Sequence, residues 1–214
     1  MNRQDFYTAT KAQLEPNIFF HSLALEACML GLYDYFKEKD LLSDSEPTRE
    51  EWGMAGLIHD IDYSGDTKEE HPNKTREVLK KYNLEINDAI DSIVKSHAPS
   101  LTKVNPTNKA QWSIFCADSL TGLIVAVALV YPSKKLADVK LSSVLKRFHK
   151  EPRFAAGTRR DEVAQCQRED TLNLPLDTFV QICLKSMQNI APDISLWSIK
   201  LYQLIRFHPT LGQI

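Results

Sequence analysis

Six side chains able to hold a divalent ion occur in order between residues 21 and 118: His21, the adjacent pair His59 and Asp60, then His71, His97 and Asp118. Imidazole nitrogen and carboxylate oxygen, with no thiolate at the matching positions, suit Mn, Fe, Zn, Co or Ni better than a sulfur-bound structural zinc. Divalent ions acidify water, and a pair of them stabilises both the attacking and the leaving oxygen of an in-line displacement at phosphorus. Holding divalent ions and activating water is the chemistry these residues point to. Taken singly, each histidine reads as a hydrogen-bonded core residue; the combination carries the argument.

Helices must position these groups. His21 shares helical spacing with Leu25, Cys28 and Leu32, so its ring faces the interior. His59 and Asp60 stand about 100° apart around an ideal helix and converge most readily at a helix end. The following Asp62-Tyr63-Ser64-Gly65-Asp66 supplies such an end. Asp118 lies among Ile114, Phe115, Ala117, Leu120 and Ile124, where a buried carboxylate needs a cation or several donors. Asp62 and Glu70 are candidates for fixing a ligand imidazole from behind.

Apolar residues recur at spacings of three and four, with few glycines and no alternating runs, which predicts an all-α fold. Helices are expected over about residues 17–38, 47–59, 71–82, 86–97, 108–131, 134–150, 158–170 and 176–190. After a break at Pro192 a last helix runs through Leu196, Ile199, Leu201 and Leu204, making roughly nine. Thr48 and Glu51 have capping-box spacing, and Thr158 and Asp161 read as a second cap. Residues 63–70 and 98–107 read as loops. One domain over 1–214 is expected, with 150–214 as a C-terminal helical extension.

A formal charge of −2 gives no case for binding a nucleic acid polymer. The basic run Lys146-Arg147-Phe148-His149-Lys150 reads as a solvated helix end, His149 and His208 have no partners in sequence, and Trp52, Trp112 and Trp197 read as packing residues. Cys28, Cys116, Cys166 and Cys183 form no Cys-x-x-Cys pair and read as small buried apolar residues of a reducing compartment. No secretory signal is read at the N-terminus, and the apolar stretch from Leu120 to Tyr131 is too short to cross a bilayer. A cytoplasmic location and no membrane partner are the expectations; the oligomeric state is open.

The series of His21, the His59-Asp60 pair within Gly56-Leu57-Ile58-His59-Asp60-Ile61-Asp62-Tyr63, and the distal Asp118 resembles the HD-domain superfamily of metal-dependent phosphohydrolases. The resemblance covers about residues 21–118 and implies an HD-domain-like helical bundle in which these four residues bind one divalent ion. His71 and His97 look like the two additional histidines of two-metal members, which implies a binuclear site bridged by Asp60 and hydrolysis of a phosphate ester, with Asp60 and Asp118 as the catalytic groups that orient the water. Within the superfamily the chain is most similar to predicted hydrolases with a His-Asp-Ile-Gly signature and a downstream segment like Arg153-Phe154-Ala155-Ala156-Gly157-Thr158-Arg159-Arg160-Asp161. Asp62 stands where that signature has glycine.

A small phosphorylated substrate, such as a nucleotide, also requires cationic or amide donors. Lys74 and Arg76 follow His71, and Arg159 and Arg160 open a predicted helix; these four are the substrate-binding candidates. Two other functions fit the same residues: a di-iron oxygenase of the same superfamily, and a non-catalytic module that binds a ligand with its metal.

Overall fold

A computed structural model of the chain describes residues 1–191, and every regular element among them is helical. The helices are α1 (Arg3–Gln13), α2 (Pro16–Glu38), α3 (Arg49–Ile58), α4 (Thr75–Lys81), α5 (Asp88–Ser96), α6 (Pro99–Thr102), α7 (Lys109–Val130), α8 (Leu141–Lys150), α9 (Arg160–Ala164) and α10 (Leu176–Ile190). Three 3-10 turns stand at Gly65–Glu70, Leu136–Asp138 and Gln165–Gln167. The expected helix beyond Pro192, with Trp197 and His208, lies outside the described residues.

Helix α2 forms the axis, with α3, α7 and α10 packed around it, and α5 closes the far side of α3 and α7. The close fit of α2 on α3 has a specific cause. A Cβ at Gly56 would lie 2.8 Å from both the backbone nitrogen and the Cα of Glu26, so only glycine lets the two backbones approach this far. That approach brings His21, on α2, within reach of His59 at the end of α3.

Local chemistry sets most of the boundaries. Thr48 and Glu51 form both halves of the expected capping box at the start of α3, and Asn87 and Asn108 cap α5 and α7 with their side chains. Helix α1 has no counterpart among the expected elements, although Asn2 caps it and Phe6, Ala9 and Thr10 give it a buried face. The single helix expected over 134–150 starts only at Leu141, because Lys134 adopts a left-handed φ of 53° that cannot begin a right-handed helix. The helix expected over 158–170 stops at Ala164, passes through a 3-10 turn and lacks the expected caps: Arg159 stands at its N-cap and makes no side-chain cap bond. Residues 99–102, expected in a loop, make one helical turn.

The four cysteines are free and buried, as their apolar surroundings in sequence predict. Helix α7 is long and apolar enough, by length and composition, to cross a membrane, and more than half of that stretch is buried inside the fold. Counting from Leu120 understates the apolar run because Ile114, Phe115 and Ala117 extend its buried surface past Asp118.

Candidate metal centre

Four imidazoles and two carboxylates from five separate segments meet between α2, α3, α5 and α7. Their ligand atoms form two groups, His21 with His59 and Asp118, and Asp60 with His71 and His97, in each of which all atoms lie within 4.8 Å of one another. Asp60 faces both groups. Its Oδ2 is 3.2 Å from His59 Nε2 and 3.7 Å from His21 Nε2, while its Oδ1 is 3.4 Å from His71 Nε2. Asp118 Oδ1 closes the first group, 3.0 Å from His21 Nε2.

All four rings are held from behind through Nδ1. His59 Nδ1–H donates to the Gly56 carbonyl at 2.9 Å, and His97 Nδ1–H to the Val94 carbonyl at 2.5 Å. His59 and His97 are the C-caps of α3 and α5, so each ring folds back on a carbonyl in the last turn of its own helix. His71 Nδ1–H donates to Asp62 Oδ1 at 2.7 Å, and Asp62 Oδ2 accepts the Lys74 backbone N–H at 2.8 Å. Thr121 donates its hydroxyl to the Asp118 carbonyl at 2.7 Å and so accepts from His21 Nδ1–H at 2.9 Å. These partners assign the tautomers, and they turn four Nε2 atoms inward.

The result is electrostatically incomplete without a positive charge. His21 and His59 bring Nε2 atoms to 3.1 Å, and His71 and His97 to 3.2 Å, so each pair needs a proton or a cation between lone pairs that would otherwise repel. Burial opposes charge on His59, but Asp60 and Asp118 outweigh it and raise the ring to about 9. Burial, reinforced by His59 and His71, pushes His97 down to about 3. Burial would raise both carboxyls, yet the surrounding imidazoles, and Arg159 for Asp118, hold them below the ordinary carboxylate range. A cage with two permanent anions and nitrogen lone pairs locked inward fits a divalent cation. The negative ends of α3 and α5, which terminate at His59 and His97, favour one further. The residues present are thus a donor set able to hold a metal.

The candidate cations lie in different places. Arg159 Nη2 donates to Asp118 Oδ2 at 2.8 Å and its Nε to Glu162 Oε2 at 2.5 Å, placing the guanidinium at the rim with its side chain 41% exposed. Lys74 gives the centre its backbone amide, while its ammonium pairs with Glu77 at 3.0 Å and Glu70 at 3.4 Å. Arg76 pairs with Asp88 and Asp91 instead. Arg160 donates to the carbonyls of Phe148, Glu151, Phe154 and Ala155, so it fastens the preceding loop rather than facing the centre. The amides of Thr158 and Arg160 are taken by turns, and the short α9 offers no anion cradle.

Two contributors had no signal in sequence as site residues: Thr121, one ordinary threonine on an apolar helix, and Gly56, which supplies both the close approach and the carbonyl for His59. Tyr63 packs edge-on against His71 with ring centroids 5.1 Å apart. In the basic run, Lys146 pairs with Glu151 and Arg147 lies over Phe154, which leaves no contiguous basic stripe there. No protein-family model, no curated protein and no solved structure matches this chain.

Proposed function

We propose that this protein is a metal-dependent phosphohydrolase of the HD type that cleaves a phosphate ester of a small phosphorylated molecule. His21, His59 and Asp118 would hold one divalent ion, His71 and His97 a second, and Asp60 would bridge them. The observation that carries the reading is the inward convergence of four Nε2 atoms on two carboxylates, with every Nδ1 already engaged. Bound there, the ions supply acidified water and neutralise charge developing on phosphoryl oxygens.

The chain's own groups divide the remaining tasks. Asp60 and Asp118, anionic throughout the working pH range, orient water by accepting its hydrogens. Arg159 binds the phosphate: its position beside Asp118 puts a partly exposed guanidinium next to the reacting atoms, and Nη1 has no partner among the described residues. Asp62 and Thr121 keep His71 and His21 in the metal-binding tautomer. Lys74 acts through its amide on Asp62.

One observation favours a second reading. Each half presents two imidazoles and one carboxylate, the donor set of non-haem iron oxygenases. Metal analysis of protein purified without chelator, phosphate release from nucleotides and sugar phosphates, and oxygen uptake by iron-loaded protein separate the two. The phosphohydrolase reading expects phosphate release that Asp60→Ala abolishes together with metal binding. Retention of both by the variant rejects the site, and oxygen consumption without phosphate release moves the assignment to the oxygenase. Arg159→Ala is expected to raise KM for the phosphorylated substrate, and an unchanged KM removes Arg159 from substrate binding.

A further inference from the structure

Two carboxylates outside the bridging position touch the two halves of the centre in opposite electrostatic senses. Behind His71, Asp62 is fully buried and places Oδ1 on the ring's Nδ1–H, with Oδ2 on the Lys74 amide. The other three rings lean on neutral acceptors, the carbonyls of Gly56 and Val94 and the hydroxyl of Thr121. His71 is therefore the one imidazole of the four whose Nδ1–H rests on a carboxylate, the outer contact that orients and strengthens a metal ligand most. In the other half, Asp118 is divided: Oδ1 faces His21 at 3.0 Å while Oδ2 is held by the Arg159 guanidinium at 2.8 Å. A permanent cation on the outer oxygen withdraws charge from the ligand and repels a second cation arriving beside it.

We infer that the centre loads in order, the half containing His71 and His97 first, and that Arg159 makes anion binding and filling of the half containing His21, His59 and Asp118 mutually dependent. The inference rests on the two-ion reading above. A phosphate oxyanion at the rim offers Arg159 an alternative partner; when the guanidinium turns to it, Asp118 regains its full charge for the ion. By linkage, whatever tightens the ion in that half by drawing Arg159 away tightens the anion by the same factor. Arg159 can make this exchange because its side chain is 41% exposed, and Glu162, which accepts from its Nε, gives it a pivot.

The test uses Mn2+ titrated into chelator-treated full-length protein at neutral pH, read by the paramagnetic resonance of the free ion, with and without inorganic phosphate. Two steps are expected, separated by about tenfold or more, a separation of at least about 1.4 kcal/mol. Phosphate should tighten only the weaker step. Arg159→Gln, at a partly exposed position, should tighten that step without phosphate and remove the phosphate effect. Asp62→Asn should weaken the stronger step roughly 10- to 100-fold. Two equal steps, a weaker step that ignores phosphate, or a phosphate effect that survives in Arg159→Gln would overturn the inference while leaving the two-ion centre intact. Absence of any Mn2+, Fe2+ or Zn2+ binding overturns the centre itself and the inference with it.

Discussion

The half of the centre formed by His21, His59 and Asp118 takes two of its three residues from the interiors of the long packed helices α2 and α7, whereas the half formed by Asp60, His71 and His97 draws only on turns and helix ends. His21 and Asp118 sit inside α2 and α7, and their meeting depends on how closely helices pack. His71 sits between a 3-10 turn and α4, and its orientation depends on hydrogen bonds to Asp62 and through it to the Lys74 amide. The difference teaches where each half is vulnerable: the first to changes in interhelix volume, the second to loss of individual polar contacts.

Titration separates the halves most strongly. In metal-free protein His59 is raised from 6.5 to about 9, so its contribution to stability is complete below pH 6.5 and disappears as pH rises through 9. That contribution is roughly 3 kcal/mol by linkage. His97, lowered to about 3, acts in the other direction: its neutral form is the one the fold accepts, so stability is lost as pH falls from 6.5 toward 3. A divalent ion must displace the His59 proton, so ion affinity should rise over the window in which the metal-free fold weakens. Thermal melts of metal-free and metal-loaded protein from pH 6.5 to 9 are expected to diverge. Parallel curves would detach His59 from the ion.

Packing provides the next contrast. Gly56→Ala drives a Cβ into the backbone of Glu26 and should cost about 1–3 kcal/mol, with the first half losing ion affinity as α2 and α3 separate. Gly122, on α7 one turn beyond Asp118, has open space where an added Cβ would stand, with nothing within 4 Å, and its replacement by alanine should stabilise the helix by about 0.5–1 kcal/mol. Chemical denaturation of both variants reads the pair. Equal effects would dissolve the claim that the first half depends on a close backbone approach.

The same contrast governs what could be read from the chain. The clustering of the six residues was legible because histidine and aspartate at helix-compatible places, or just past apolar helical runs such as Ile93-Val94-Lys95-Ser96, leave few bland roles for so many of them together. The all-helical class and the α3 capping box were legible from periodicity and local spacing. Thr121 was not, because its role depends on a ring a hundred residues earlier in the chain and on a carbonyl one turn back in its own helix. Arg160 was not separable from Arg159, since adjacent residues point in different directions and only the fold shows which meets Asp118.

Thr121 tests the helix-built half more gently. Thr121→Val removes the acceptor for His21 Nδ1–H with little change in volume, freeing the ring to rotate or change tautomer. Ion affinity in that half should fall roughly tenfold, at the lower end for such outer contacts. Thr121→Ser should restore it. A valine variant with native affinity would mean that packing alone orients His21.

Arg76 sets the floor of the series. Its guanidinium is committed to Asp88 at 2.7 Å and Asp91 at 3.2 Å, joining α4 to α5 at the surface rather than reaching the cluster of imidazoles and carboxylates. Exposed pairs of this kind contribute within about 1 kcal/mol, so Arg76→Ala should shift the melting temperature by only a few degrees. KM for the phosphorylated substrate should stay unchanged, in contrast to Arg159→Ala. If Arg76→Ala raised KM as much as Arg159→Ala, the anion would have to approach from the loop-built half, and the division of labour between the two halves would be reversed.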